Sequence, residues 1–171
     1  MKYAYFAGGC FWCITPVFKE TEGVSSVTSG YSGGEEEDPT YEQVKAQLTH
    51  HRETIRVEYD PEKVSFRQLL ELFLECVDPF DAGGQFIDRG GSYTLAVYCT
   101  DEAERIITEE KLQDLGEEEG EYPSVSIEPF KSFWPAEEYH QDYYLKNPEA
   151  FEKELIESGR SLSCPLHFRR K

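Results

Sequence analysis

Apolar residues along this chain fall into short segments that alternate with polar positions and longer runs with no such alternation. Residues 3 to 7, 24 to 29, 53 to 59, 93 to 99 and 124 to 129 are rich in Val, Ile, Tyr and Thr, which predicts strands. Helices are predicted between them. Ser65-Phe66-Arg67-Gln68 is a capping box opening the run Leu69 to Glu75, and Thr100 or Asp101 can cap a helix reaching about Gly116. Pro135 suits the first turn of a further helix ending before Pro148, and Glu149 to Ser158 is a last amphipathic piece. Strands interleaved with helices predict an α+β fold, a two-layer sandwich whose mixed sheet surrounds a ferredoxin-like core. The acidic runs Glu35 to Asp38 and Glu117 to Glu121 are predicted as solvated loops.

Length and charge narrow the function classes. At 171 residues the chain is expected to form one domain, 1–171, with a mobile tail at 160–171. Thirty-four acidic against seventeen basic residues give a formal net charge of -17, which opposes binding to nucleic acid or anionic membranes. No apolar stretch reaches membrane-spanning length, and Met1-Lys2-Tyr3-Ala4 does not open a signal peptide, so a cytoplasmic protein is expected. The five cysteines, Cys10, Cys13, Cys76, Cys99 and Cys164, are odd in number and scattered, which argues against a secreted disulfide framework. No metal is expected either. Cys10-x-x-Cys13 has no second close pair, and the neighbours His50 and His51 would point to opposite faces of a strand.

Gly8-Gly9-Cys10-Phe11-Trp12-Cys13, directly behind the apolar run Tyr3 to Ala7, carries the densest chemistry. Glycines allow a sharp turn out of a strand, and a cysteine at the first turn of a following helix has its thiolate favoured by free N–H groups. Cys10 is the candidate nucleophile. Phe11 and Trp12 offer two adjacent π surfaces suited to a small apolar group such as a methyl, although both could be plain core. Pro16 inside the same helix predicts an irregular first turn.

The Gly-Cys-Phe-Trp motif resembles the signature of the A-type peptide-methionine sulfoxide reductases. The resemblance extends to Gly30-Tyr31-Ser32-Gly33-Gly34, Asp38-Pro39-Thr40-Tyr41-Glu42-Gln43-Val44, Glu53 to Pro61, Asp78-Pro79, Asp88 to Tyr93, and Phe133 to Gln141, in matching order. Three departures stand out. Cys13 replaces a common Gly, His50-His51-Arg52-Glu53 stands where Gly-His-Ala-Glu is usual, and the residues between Asp88 and Tyr93 are altered.

The resemblance implies thiol-dependent reduction of the S epimer of free and protein-bound methionine sulfoxide, a repair reaction needing no cofactor, with thioredoxin or glutaredoxin as reductant. Glu53 takes the place of the family's acid, Tyr41 and Tyr93 those of its active-site tyrosines, and Asp88 that of the residue binding the substrate's backbone nitrogen. Attack would leave Cys10 as a sulfenic acid. Cys13, one helical turn away, is favoured to resolve it; Cys164, in Ser161-Leu162-Ser163-Cys164-Pro165, is the alternative. Cys76 and Cys99 read as structural, and His140 is as well suited to packing as to catalysis. Two other classes remain open on the residues alone: a thioredoxin-like dithiol oxidoreductase built on Cys-x-x-Cys, and a redox-sensing or peptide-binding module without turnover.

Overall fold

In the computed structural model, which describes residues 1–158, the chain runs through Lys2–Gly8 (β1), Phe11–Lys19 (α1), Val24–Ser32 (β2), Tyr41–Lys45 (α2), Arg52–Tyr59 (β3) and Phe66–Cys76 (α3). The hairpin Gly84–Gln85 (β4) and Asp88–Arg89 (β5), Leu95–Cys99 (β6), Glu102–Glu119 (α4) and Val125–Pro129 (β7) follow. Trp134–Pro135 (β8), Tyr143–Lys146 (α5) and Pro148–Ser158 (α6) complete it, with 3-10 turns at Gly91–Tyr93 and Glu138–His140.

Alternation along β3 sets the two sides of the main sheet. Glu53, Ile55, Val57 and Tyr59 fall on one face and are buried, whereas Arg52, Thr54, Arg56 and Glu58 fall on the other. The strand order is β7-β6-β1-β3-β2-β8, antiparallel throughout except for the parallel pair β6 and β7. Within it, β6-β1-β3-β2 with α1 and α3 as the connecting helices form the expected ferredoxin-like core. On the helix side Phe6 stacks against Phe18, Phe66 and Phe73 at centroid distances of 5.5, 6.0 and 5.0 Å. On the other side Tyr5 stacks on Phe130 at 4.1 Å, and Arg56 lies over Tyr3 and Phe133.

Several boundaries differ from the sequence expectation, each for a local reason. Tyr93 belongs to a 3-10 turn, and its strand starts at Leu95. The helix capped by Asp101 runs past Gly116 to Glu119 and stops at Gly120, whose φ of 76° terminates it; three residues of the acidic run predicted as loop are therefore its last turn. Pro135 does not start a helix. Trp134 and Pro135 pair with Tyr31 and Gly30 as the sheet's edge, where a missing N–H is tolerated, and the following segment forms a 3-10 turn and α5, broken by Asp142 at φ 54°. Glu36, in the other acidic run, accepts hydrogen bonds from the backbone N–H of His50 at 3.1 Å and, through its carbonyl, from His51 Nε2 at 2.8 Å. Pro16 is accommodated with α1 intact, the helix opening at Phe11 with Cys10 outside it. Cys164 and the 160–171 tail lie outside the described residues.

The capping box at the start of α3 is formed as read: Ser65 Oγ accepts from Gln68 N at 3.1 Å, and Gln68 Oε1 accepts from Ser65 N at 2.9 Å. Ser65→Ala should lower stability by about 1 kcal/mol. Urea unfolding should show this as a lower midpoint at unchanged slope, and an unmoved midpoint would mean the cap contributes nothing.

Candidate active site

A single glycine conformation creates the entry to the site. Gly9, at φ 82°, turns the chain out of β1 so that Cys10 becomes the N-cap residue of α1, with φ -59° and ψ 118°. Cys10 makes no side-chain cap. The first helical N–H, that of Phe11, donates instead to Glu53 Oε1 at 3.2 Å across from β3. A carboxyl group thus occupies the place where the helix end would otherwise favour a thiolate.

That substitution reverses the electrostatic expectation for Cys10. Its thiol is raised well above the ordinary cysteine range by the Cys13 thiol beside it, by burial and by the neighbouring Glu53. Cys10 is only 5% exposed and Cys13 2%, and both sit in one apolar cluster with Tyr144, Phe151 and Leu155 from α5 and α6. In this state the helix N-terminus does not outweigh the Cys13 contact and desolvation.

Glu53 lies in line with Ile55, Val57 and Tyr59 on the core face of β3 and is 1% exposed. Burial pushes its carboxyl up to about 8, opposed by the Phe11 N–H and reinforced by Asp88 and Cys13. At neutral pH the group is therefore mostly protonated. Because Oε1 accepts from Phe11, the proton belongs on Oε2, which is buried and has no full hydrogen-bond partner among the described residues. The Tyr93 hydroxyl lies close enough to pull the other way, towards the ionised form. Tyr93, in the 3-10 turn before β6, and Tyr41, the first residue of α2, are both held neutral by burial and by the proximity of Glu53 and Cys10. Asp88 stands on β5, near enough to influence both Glu53 and Tyr93. The structure thus brings Cys10, Glu53, Tyr41, Tyr93, Asp88 and Cys13 to one place.

The two aromatic residues of the motif part company. The Phe11 ring is fully buried among Tyr31, Tyr41 and His140, whereas Trp12 is half-buried. Trp12 Nε1 donates to His140 Nδ1 at 3.0 Å, and its ring stacks on Tyr143 at 4.0 Å and an interplanar angle of 11°. His140 is buried and its pKa lowered by that burial, so it is the neutral tautomer carrying hydrogen on Nε2.

The segment around His140 is tied down by its neighbours. Gln141 accepts from Ser29 N at 2.8 Å and donates to Ser29 O at 2.9 Å, and Glu137 accepts from Tyr31 Oη at 2.9 Å and from Tyr41 N at 3.0 Å. An ion pair between Lys19 and Asp142 fastens it to the end of α1.

Cys76 is buried in the main core, and Cys99, pushed up to about 11 by burial, has its sulfur 3.9 Å from Thr108 Oγ1. Both therefore pack away from the Cys10 cluster. Sequence reasoning missed three residues with evident work at the site: Glu137, Tyr143, and Gln47, whose carboxamide bonds Ser92. It also missed α2, although Thr40-x-x-Gln43 is a legible capping box and forms as one.

With this geometry in view, comparison with known proteins gives a consistent result. Residues 2–168 match the family model described as peptide methionine sulfoxide reductase. Peptide methionine sulfoxide reductase MsrA of Bacillus licheniformis is 43% identical over 172 residues, spanning 99% of this chain and 95% of its own length. MsrA 2 of Lactococcus lactis is 48% identical over 150 residues, spanning 86% of this chain and 87% of its own. Among solved structures, the reduced form of Mxr1 from Saccharomyces cerevisiae matches with a TM-score of 0.81 at 29% identity over 86% of each chain. Methionine sulfoxide reductase A of Corynebacterium diphtheriae matches with a TM-score of 0.78 at 30% identity, over 86% of this chain and 75% of its own. A glycine-turned Cys10 facing a buried carboxyl, in a chain matched along nearly its whole length, belongs to the peptide methionine sulfoxide reductase family, among its MsrA members.

Proposed function

We propose that this chain reduces the S epimer of methionine sulfoxide, free or in proteins, through a sulfenic acid on Cys10. The observation that carries the reading is the fully buried Glu53 carboxyl, its pKa raised by that burial, beside the buried thiol of Cys10. A sulfoxide oxygen is an acceptor with no leaving-group ability until protonated, and Glu53, protonated near neutrality, can serve as the donor. Cys10 sulfur forms a bond to the sulfoxide sulfur while Glu53 passes its proton to the oxygen and takes up the Cys10 proton. The sulfur–oxygen bond of the substrate then breaks, and the hydroxyl moves to Cys10. Methionine leaves and Cys10 holds the sulfenic acid, so every atom of thiol and sulfoxide is accounted for. Both partners start neutral, which suits a site poor in water.

Tyr41 and Tyr93 are assigned to hold the oxygen by hydrogen bonds, Asp88 to receive the substrate's backbone nitrogen, and Trp12, backed by Phe11, to take the methyl group. Cys13 then attacks the sulfenic sulfur, releasing water and leaving a Cys10–Cys13 disulfide; its place in the same apolar cluster as Cys10 supports that role, with Cys164 as the alternative. Thiol exchange with thioredoxin or glutaredoxin, in the cytoplasm, would regenerate the dithiol. A thioredoxin-like reading leaves Glu53 and the two tyrosines without work. Steady-state assays set the readings apart: consumption of S-methionine sulfoxide with a dithiol, and little insulin reduction, is expected. Cys10→Ser should abolish that consumption with the fold intact, and substantial residual turnover would remove Cys10 from its role.

Glu53→Gln should slow methionine release in a single turnover by ~10²–10⁴-fold. In the parent that rate should fall as pH rises through about 8, where Glu53 loses its proton, and the variant should lack this limb. Linkage gives a second sign. A carboxyl raised in the folded state stabilises the fold least at high pH, because stability is lost as pH rises from the unfolded value towards about 8. Glu53→Gln should therefore gain stability relative to the parent between pH 5 and 8, by at most ~1.4 kcal/mol per pH unit, and urea midpoints across that range would show a constant gap if Glu53 were ionised throughout.

If Cys13 resolves the sulfenic acid, Cys13→Ser should release one methionine per chain and then stop with thioredoxin as reductant, while Cys164→Ser recycles normally. Recycling by Cys13→Ser with loss in Cys164→Ser would move the role to the tail.

A further inference from the structure

Gln47 holds an unusual backbone for a residue with a side chain. It follows α2 at φ 61°, in the position where a helix normally ends on glycine: Gln47 N bonds Val44 O at 3.0 Å and Leu48 N bonds Gln43 O at 3.0 Å. The left-handed conformation crowds the Cβ, so a glutamine persists there against its own preference. Its carboxamide shows what is gained. Oε1 accepts from Ser92 N at 3.0 Å, Nε2 donates to Ser92 Oγ at 2.7 Å, and Nε2 also donates to Lys45 O at 3.2 Å. Ser92 is 2% exposed and is the middle residue of the 3-10 turn Gly91–Tyr93. The turn's first backbone bond runs from Tyr93 N to Gly90 O at 3.0 Å, and Gly90 lies so near the amide that a Cβ there would sit 2.9 Å from Gln47 Cδ. Arg52 Nε donates to Thr94 Oγ1 at 2.9 Å on the far side of the turn.

The opposite end of α2 is equally fixed. Tyr41 N donates to Glu137 Oε2 at 3.0 Å, and the Tyr41 ring lies 4.2 Å from His140. A five-residue helix therefore spans from one site tyrosine to the turn bearing the other.

We infer that Gln47 is a positioning residue for sulfoxide reduction, its carboxamide gripping both the N–H and the hydroxyl of Ser92 so that Tyr93 is held beside Glu53 at a fixed distance from Tyr41. The inference rests on the reductase reading for its chemistry, but the grip has a readout of its own. Glu53 is faced by Cys10 and Cys13 at the start of α1, Tyr31 of β2, Tyr41 of α2, Asp88 of β5 and Tyr93 of the turn. Of these, Tyr93 favours the carboxylate by hydrogen bonding. Loosening the turn weakens that pull, so Glu53 should lose its proton at higher pH.

Gln47→Gly tests this without a folding penalty from the backbone, because glycine accepts the left-handed conformation while losing the amide. Two measurements are made on the full chain: the single-turnover rate of methionine release, and the infrared titration of the Glu53 carboxyl. The variant should be about tenfold slower, with its carboxyl titration displaced to higher pH. Ser92→Ala should shift both in the same direction, and the double variant should be no worse than Gln47→Gly, since the two residues form one contact. Parent-like rate and titration in Gln47→Gly would overturn the inference. A slower rate with an unmoved titration would overturn it too, because Gln47 would then act by some route other than Tyr93. If the parent released no methionine yet the titration moved as expected, the clamp would stand and the reductase reading would fall.

Discussion

Closing a carboxyl group off from water while giving it one backbone N–H determines how the rest of this site must behave. Glu53 accepts from Phe11 at the start of α1, and that bond joins the helix end to the central strands. Desolvation outweighs the favourable contacts of the Phe11 N–H and Tyr93, leaving a carboxylic acid near neutrality instead of a carboxylate. The neighbouring thiol follows the same logic. With the helix N–H taken by Glu53 and the sulfur packed among apolar side chains, Cys10 stays protonated in the absence of substrate. The nucleophile is not activated by a fixed positive field. In the proposed mechanism its proton has a destination only when Glu53 has given up its own, which would couple activation to the arrival of an oxygen acceptor.

Packing supports that arrangement from two directions. From below, the aromatic stack of Phe6 with Phe18, Phe66 and Phe73 fixes β1 and the helices on which Cys10 depends. From above, the chain after β8 folds back over the motif: Glu137 ties β2 to α2, His140 receives the Trp12 indole, Tyr143 stacks on its ring, and α6 covers the sulfurs. Excluding water strengthens each polar contact inside, including the pull between Glu53 and its neighbours.

Much of this was legible in the residues. The alternation Glu53-Thr-Ile55-Arg-Val57-Glu-Tyr59 places Glu53 on the core side of its strand, and Gly-Gly before Cys10 marks the turn. The capping box at Ser65 is local chemistry, and it formed as read. What failed depended on distant partners. A proline that reads as a helix start became an edge strand because β2 offered Gly30 and Tyr31 as partners. The rise in the Cys10 pKa could not be seen from a helix N-terminus alone, since it needs Glu53, Cys13 and the cover from α5 and α6 brought together in space. Gln47 carries no motif at all; its part follows from a backbone conformation and a partner 45 residues away.

The protonation state of Glu53 in the substrate-free protein tests the account most directly. An infrared difference titration of the parent against Glu53→Gln isolates this one carboxyl. The account predicts a protonated C=O stretch that persists through neutral pH and disappears with an apparent pKa near 8. A carboxylate already formed by pH 6, titrating in the ordinary range of about 4 to 5, would contradict it.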